Sequence, residues 1–230
     1  MADYGLRVRN LNNEIQIGSD FRNVALRATG TLALTSQISW VNRVYGAALT
    51  LPAGRFGLLA FRCQYPAVIY GAAANGNDVT YYFRADTGGV SGAPLYWYLL
   101  DEIANCPPPS GLYGMRVKDA SWNVTYDSRQ RYARFVDAFR FTSAQTVFYP
   151  GYQIAVIQAI VPSNSVSTGF TPPPTTRWNY NHDHGFILAW GNQLTVNRVF
   201  YKFGEGNSLV QWPAGNPVVF AGSVIDVSGL

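Results

Sequence analysis

The sequence is poor in the side chains from which most active sites are built. Of 230 residues two are histidine, two cysteine and two methionine, and charged residues make up 13 %, about half the usual share. Long apolar runs are missing as well, since no stretch approaches the ~20 residues that a membrane-spanning helix needs. The start, Met1-Ala2-Asp3-Tyr4-Gly5, lacks signal-peptide character. No membrane span and production in a cytoplasm are therefore expected. Cys63 and Cys106 show no metal or redox spacing, and no disulfide is expected between them. Runs of basic residues are absent too. Seventeen Lys and Arg against thirteen Asp and Glu give a net charge of +4, but Arg7, Arg9, Arg22, Arg27, Arg43 and Arg55 stand singly. A phosphate-tracking groove concentrates cations on one face, so dispersed solvated charge and no nucleic-acid partner are expected.

What is abundant is apolar and aromatic surface: 48 % of residues are hydrophobic and 15 % aromatic, with fifteen tyrosines. Such a chain buries a real core and is not disordered. Its low charge also leaves neutral surfaces, which in soluble proteins become contacts between subunits. An assembly is expected, and the tandem repeat described below would let a trimer present six similar units, a homo-oligomer (trimer or hexamer).

The chain resembles itself. Tyr4-Gly5-Leu6-Arg7-Val8-Arg9-Asn10 matches Tyr113-Gly114-Met115-Arg116-Val117-Lys118-Asp119, an offset of 109 residues from Tyr4 to Tyr113. The register continues through Ile15 with Val124, Ile17 with Tyr126, Ser19 with Ser128 and Arg22 with Arg131. After a two-residue slip Leu34-Thr35-Ser36 meets Phe141-Thr142-Ser143. Looser matches follow, Val79–Phe83 with Val199–Phe203 and Ala93–Trp97 with Asn216–Phe220. Between the copies lies Cys106-Pro107-Pro108-Pro109-Ser110-Gly111, a stiff extended segment. Two domains follow, 1–106 and 111–230, joined by a Pro-rich linker at 107–110.

Alternation at Leu6/Val8, Ile15/Ile17 and Val24/Leu26, with short buried runs at Leu58–Phe61 and Ile154–Ile157, points to strands. Turn signals recur at Asn12-Asn13, Ala53-Gly54, Asn75–Asp78, Thr87-Gly88-Gly89 and Gly204–Asn207. The fold class expected is all-β, two tandem β-sandwich-like domains related by internal duplication. One segment resists: Tyr132, Phe135, Val136 and Phe139 fall at helical spacing within 129–141. Its counterpart at Asn23–Gly30 alternates as a strand does, and a shared fold favours strand for both.

Chemistry finds little to work with. His182 and His184 flank Asp183 and on a strand would share a face, a pair able to ligate a transition metal if a symmetric trimer repeated it around an axis. A polar loop, Asn179–Gly185, is the favoured explanation, so no cofactor is expected. Asp101 and Glu102 point to opposite faces of a strand and read as a solvated strand end rather than an acid/base pair. Asp127-Ser128 has no histidine partner and suits a turn in which both side chains bond backbone amides. Gly71–Asp78 lacks the Lys-Ser/Thr of a phosphate loop and reads as a long hairpin tip. No enzyme is expected.

Binding is better supplied. Tyr96-Trp97-Tyr98, Trp178-Asn179-Tyr180, Trp190 and Trp212 offer flat faces for sugars or a protein partner, although one face of Tyr96-Trp97-Tyr98 must be core. The stretch 162–176, with Pro172, Pro173 and Pro174, reads as a long loop without counterpart in the first copy, and such loops are usually functional or linker-like. It is the first candidate for a subunit-contacting arm.

The opening Asp3-Tyr4-Gly5-Leu6-Arg7-Val8-Arg9-Asn10, then an Asn-Glu turn, a strand and Ser19, resembles a family of uncharacterised phage tail proteins. Their N-termini read Tyr-Gly-Leu/Ile-x-Val, a turn, an apolar strand and Asp-Ser. The second copy, Tyr113–Val117 through Val124-Thr125-Tyr126-Asp127-Ser128, fits this pattern, whereas Gly18 replaces the Asp in the first. The match covers about twenty residues per copy. The resemblance implies a minor tail or baseplate protein near the tail tip, assembled in the host cytoplasm and carried in the virion, with other tail proteins as partners. It carries over no catalytic residue. An alternative is a receptor- or carbohydrate-binding module of the tail, whose aromatic loops engage a host surface receptor.

Overall fold

The computed structural model describes the backbone of residues 7–9, 15–18, 23–38, 41–52, 57–159, 163–171, 177–206 and 219–230, and the side chains of 23–37, 42–52, 57–159, 185–197 and 219–230. The fold of the described residues is all-β, with a single short helical turn at Ile103–Asn105. The first half carries β1 (Arg7–Arg9), β2 (Ile15–Gly18), β3 (Val24–Leu34), β4 (Ser36–Ile38), β5 (Val41–Pro52), β6 (Leu58–Asn75), β7 (Asp78–Asp86) and β8 (Ala93–Glu102). The second carries β9 (Arg116–Lys118), β10 (Val124–Asp127), β11 (Arg134–Phe141), β12 (Gln145–Phe148), β13 (Ile154–Gln158), β14 (Ser163–Thr171), β15 (Arg177–Trp190), β16 (Gln193–Gly206) and β17 (Phe220–Asp226). β1–β2 and β9–β10 are separate hairpins, and the other thirteen strands form one hydrogen-bonded system.

The same pairing pattern occurs in both halves. Arg7, Val8 and Arg9 pair with Gly18, Ile17 and Ile15, and Arg116, Val117 and Lys118 pair with Asp127, Tyr126 and Val124, with the bulge at the same place. β3 pairs with β8 around a bulge at Arg27, and β11 pairs with β17 around a bulge at Val136, 109 residues further on. On β5 and β7 the Thr50 and Thr80 hydroxyls lie 2.9 Å apart, and on β12 and β16 Thr146 and Thr195 lie 3.0 Å apart. Gly76 and Gly191, at φ +61° and +58°, turn the adjoining hairpins; both supply the left-handed conformation that a two-residue turn requires. The equivalences differ in register from the looser sequence matches: Val79 corresponds to Leu194, the residue before the matched Thr of β16, rather than to Val199.

The halves meet through strand edges. Ala60 and Phe61 of β6 pair with Ile157 and Val156 of β13. Opposite this seam, Ala25 bridges Tyr132, Leu26 N donates to Arg131 O (2.7 Å) and Ala133 N donates to Val24 O (3.0 Å). These bonds close a ring of six strands, β3-β8-β6-β13-β17-β11, three from each half. Alternation along each strand then decides which side chains turn inward. Ala60, Tyr98, Leu100, Ala155 and Ile225 form a buried cluster drawn from both halves. Their neighbours in sequence face outward into two further cores, one around Phe61, Phe83 and Leu95 and the other around Phe139, Val156 and Phe220. In the first of these, β5, β7 and the end of β6 cover the β3–β8 layer in sandwich-like packing, and Phe61 meets Phe83 edge-on at 5.7 Å. The side-chain amide of Gln158 also ties the halves, accepting from Ile69 N (3.0 Å) and donating to Ile69 O (2.7 Å) at the β6 bulge.

Arg134–Phe141 is strand, as is the segment matched to it in the sequence, β3. Four local expectations are corrected, one of them the polar loop expected at Asn179–Gly185, which is strand because β16 flanks it along its length and β14 from Asn179 to His184. Gly71–Asn75 belongs to β6, so the long hairpin tip is a tight two-residue turn. Gly204–Gly206 belongs to β16 rather than to a turn, because Trp178 to Tyr180 supply it with partners. Within 162–176, Ser163–Thr171 is β14, paired with β15. Its backbone partners come from β15, from Thr171 opposite Arg177 to Ser163 opposite His184. In the first half β6 runs unbroken, whereas in the second β13 and β15 are separated by the segment that contains β14.

Candidate interaction surface

The β9–β10 hairpin is held from below by one carboxylate. Asp127, 1 % exposed, accepts two bonds from Arg129 (Nε 2.8 Å, Nη2 2.6 Å), one from Arg116 Nε (3.0 Å) and one from Arg129 N (3.1 Å). A fork-to-fork arginine pair is among the stronger hydrogen-bonded ion pairs. The Arg129 bonds, joined by those from Arg116, hold the Asp127 carboxyl well below the usual carboxylate range. Ser128 Oγ accepts from Met115 N at 2.8 Å, so Asp127 and Ser128 both bond backbone amides as their turn chemistry demands. Arg129 and Gln130 reach onward to Gly111 O (3.0 Å) and Pro107 O (2.7 Å), which pins the Pro-rich segment to the hairpin base.

At the other end Asp119 organises the tip. Its carboxylate accepts from Ser121 N and Asn123 N (2.9 Å each) and from Asn123 Nδ2 (3.0 Å), and its carbonyl accepts from Trp122 N. This frame holds Trp122 at φ +65°, a left-handed conformation adopted by no other non-glycine among the described residues. A bulky side chain there costs about 1–2 kcal/mol, and such strain persists where the surroundings enforce it. The indole is 76 % exposed, with Lys118 Nζ at 4.9 Å from the ring centroid. At the hairpin's approach Leu112 and Tyr113 are 91 % and 90 % exposed, and Met115 is exposed as well. Tyr113 and Met115 stood out in the sequence only as members of the repeat, and Trp122 and Leu112 not at all. The available signal was the repeat register, which sets Trp122 level with Asn13, and Asn is the residue suited to a left-handed turn position.

The aromatic candidates of β8 serve the fold. Tyr96 is half-buried, and with Trp190 it brackets Arg62, whose guanidinium carbon lies 5.0 Å from each ring centroid. Trp97 packs so closely over Gly30 that a methyl there would lie 2.8 Å from Trp97 Cζ2. Trp178, Tyr180, His182 and His184 lie on β15, with His182 opposite Ser165 and Tyr201, and His184 opposite Ser163 and Val199; their side chains fall outside the described residues. Pro172, Pro173 and Pro174 lie outside them altogether.

Asp101 is corrected from a solvated strand end to a buried partner of Arg27 (3.1 Å), with Glu102 N and Asn105 Nδ2 completing its bonds. Burial, then the Asp101 charge, pushes the Cys106 thiol up to about 11, which keeps it protonated and unreactive at neutral pH. Among the described residues no three His, Cys, Asp or Glu side chains converge as metal ligands. Nor, among them, is any helix long and apolar enough to cross a membrane. A groove of about 280 Å³ between Leu59, Ile69, Tyr81 and Ile157 is mostly apolar, and the Gln158 amide on its wall is already bonded to Ile69.

No protein-family model, curated protein or solved structure matches the chain. Fold and surface together define an all-β protein that displays a rigidly framed aromatic hairpin.

Proposed function

We propose that the chain is a non-enzymatic structural subunit of a phage virion, a minor tail protein at the tail tip or baseplate, and that the β9–β10 hairpin is one of its contacts with other tail proteins. The observation that carries this proposal is Trp122, exposed, strained and held in place by Asp119. Tryptophan is enriched among the residues that dominate binding energy at protein interfaces, and a pre-ordered loop loses little entropy on docking. Exposed Leu112, Tyr113 and Met115 extend the apolar character toward the hairpin base. The buried carboxylates Asp101 and Asp127 are consumed by arginines, which suits structural roles. The resemblance of the Tyr-Gly-Leu-x-Val segments to phage tail proteins supplies the setting. Mass spectrometry of purified tailed particles is the test: the chain is expected at a fixed copy number, and its absence from particles would sink the proposal.

A second reading, a receptor-binding module, is favoured by the same indole. An exposed ring beside Lys118 can stack on a sugar while the ammonium bonds a hydroxyl or carboxylate. Glycan-array binding lost in Trp122→Ala would select it over a purely structural role.

A further inference from the structure

Two strands flank the point where the six-stranded ring closes, and they are equivalent in pairing: β3 with β8, β11 with β17, each with its bulge at the matching residue. Beyond the closure at 24–26 and 131–133, each has a neighbour on one side only among the described residues. An unpaired edge is a template for another strand, and proteins guard such edges with charge. β11 is guarded, with Arg134, Asp137 and Arg140 all exposed along it. β3 is not. Its one charged residue, Arg27, sits at the bulge and is held by Asp101. From Ala28 the strand reads Ala-Thr-Gly-Thr-Leu-Ala-Leu. Thr29, Thr31 and Ala33 are exposed, while Gly30, Leu32 and Leu34 turn toward the core. Leu34 O faces β8, where Gly92 N bonds it (2.8 Å), so alternation turns the backbone groups of Thr29, Thr31 and Ala33 to the open edge, a run centred on Thr31.

We propose that this edge is an interface with a second copy of the chain, formed by antiparallel β3–β3 pairing about a twofold axis at Thr31. Three observations favour a copy of the chain over a foreign strand. Antiparallel edge pairing already joins the two halves of one chain, at Ala60 with Ile157. A twofold pairing centred at Thr31 sets Thr31 against its mate and Thr29 against Ala33, small uncharged side chains throughout. Threonine pairs also recur as cross-strand contacts in this protein, at Thr50–Thr80 and Thr146–Thr195. The guarded β11 edge then limits growth to a closed pair instead of an open fibre. The interface does not depend on the tail-tip assignment.

The test is light scattering of the full-length protein at micromolar concentration. The wild type is expected at twice the 25.4 kDa chain mass. Thr31→Lys and Thr31→Glu set like charges against each other and are expected as monomers with unchanged far-ultraviolet spectra, and mixing the two restores the dimer. Should either variant fold poorly, the pair T29K/A33E and T29K/A33K decides. The first places unlike charges opposite one another and stays dimeric, and the second does not. A monomeric or trimeric wild type overturns the proposal, as does a Thr31→Lys protein that remains as dimeric as the wild type.

Discussion

Trp122 and Asp127 show how far single residues shape this molecule. Because a left-handed tryptophan is strained, Trp122→Asn is expected to raise stability by about 1 kcal/mol in urea denaturation while weakening partner binding. A residue kept for packing would give the opposite sign. Asp127→Asn removes the anion shared by Arg116 and Arg129. The expected cost is about 2–3 kcal/mol, below the usual loss for a broken buried pair, because the Arg116 side chain is 45 % exposed and partly screened. Its pH dependence has a definite direction. The folded carboxyl is more acidic than an unfolded Asp, whose pKa is about 3.9. The unfolded chain therefore takes up the proton first as pH falls. The stabilisation is present in full above the unfolded value and declines as pH drops toward the folded one. The stability difference between wild type and Asp127→Asn should thus be constant near neutrality and shrink below about pH 4. A difference that persists undiminished at pH 2 would assign the effect to packing rather than charge.

Among the elements, Arg134–Phe141 shows what pattern alone resolves. Its apolar spacing matches a helix, yet its residues pair along their length with β17, which makes it strand. The repeat was the stronger signal because a whole strand's partners come with it. β14 was missed for the opposite reason. Ser163–Thr171 alternates poorly and is rich in serine and threonine, so it reads as a loop until β15 supplies its hydrogen bonds. Asp101 was misread because a carboxylate at a strand end is usually wet; its partner Arg27 is 74 residues away in sequence, and no local pattern announces such a pair. Close strand packing offers a direct check. A methyl at Gly222 would collide with the Ile157 carbonyl oxygen and crowd Phe139. Gly222→Ala is expected to cost roughly 3 kcal/mol, the upper range for overpacking, read as a shift in the denaturation midpoint. A neutral substitution would mean that β13 and β17 are not seated against each other at this point.

For the whole molecule, the 109-residue register in the sequence announced that two halves would carry like hairpins, and β1–β2 and β9–β10 do share register and bulge. How the halves join was not legible, because edge pairing at Ala60 and Ile157 leaves no mark beyond apolar strand character. The shared cluster of Ala60, Tyr98, Ala155 and Ile225 makes each half depend on the other for part of its buried surface. Calorimetry should accordingly give a single unfolding transition; two separate transitions would mean that the halves unfold independently. Function was less legible than fold, since the exposed aromatic lies at a hairpin tip where the sequence reads only as a turn. The decisive measurement is competitive incorporation: wild type and Trp122→Ala co-expressed during particle assembly, with their ratio in purified tailed particles set against their ratio in the soluble pool. Strong depletion of Trp122→Ala from particles, with equal soluble levels, is the expected result. Equal ratios in both pools would contradict the hairpin as a virion contact.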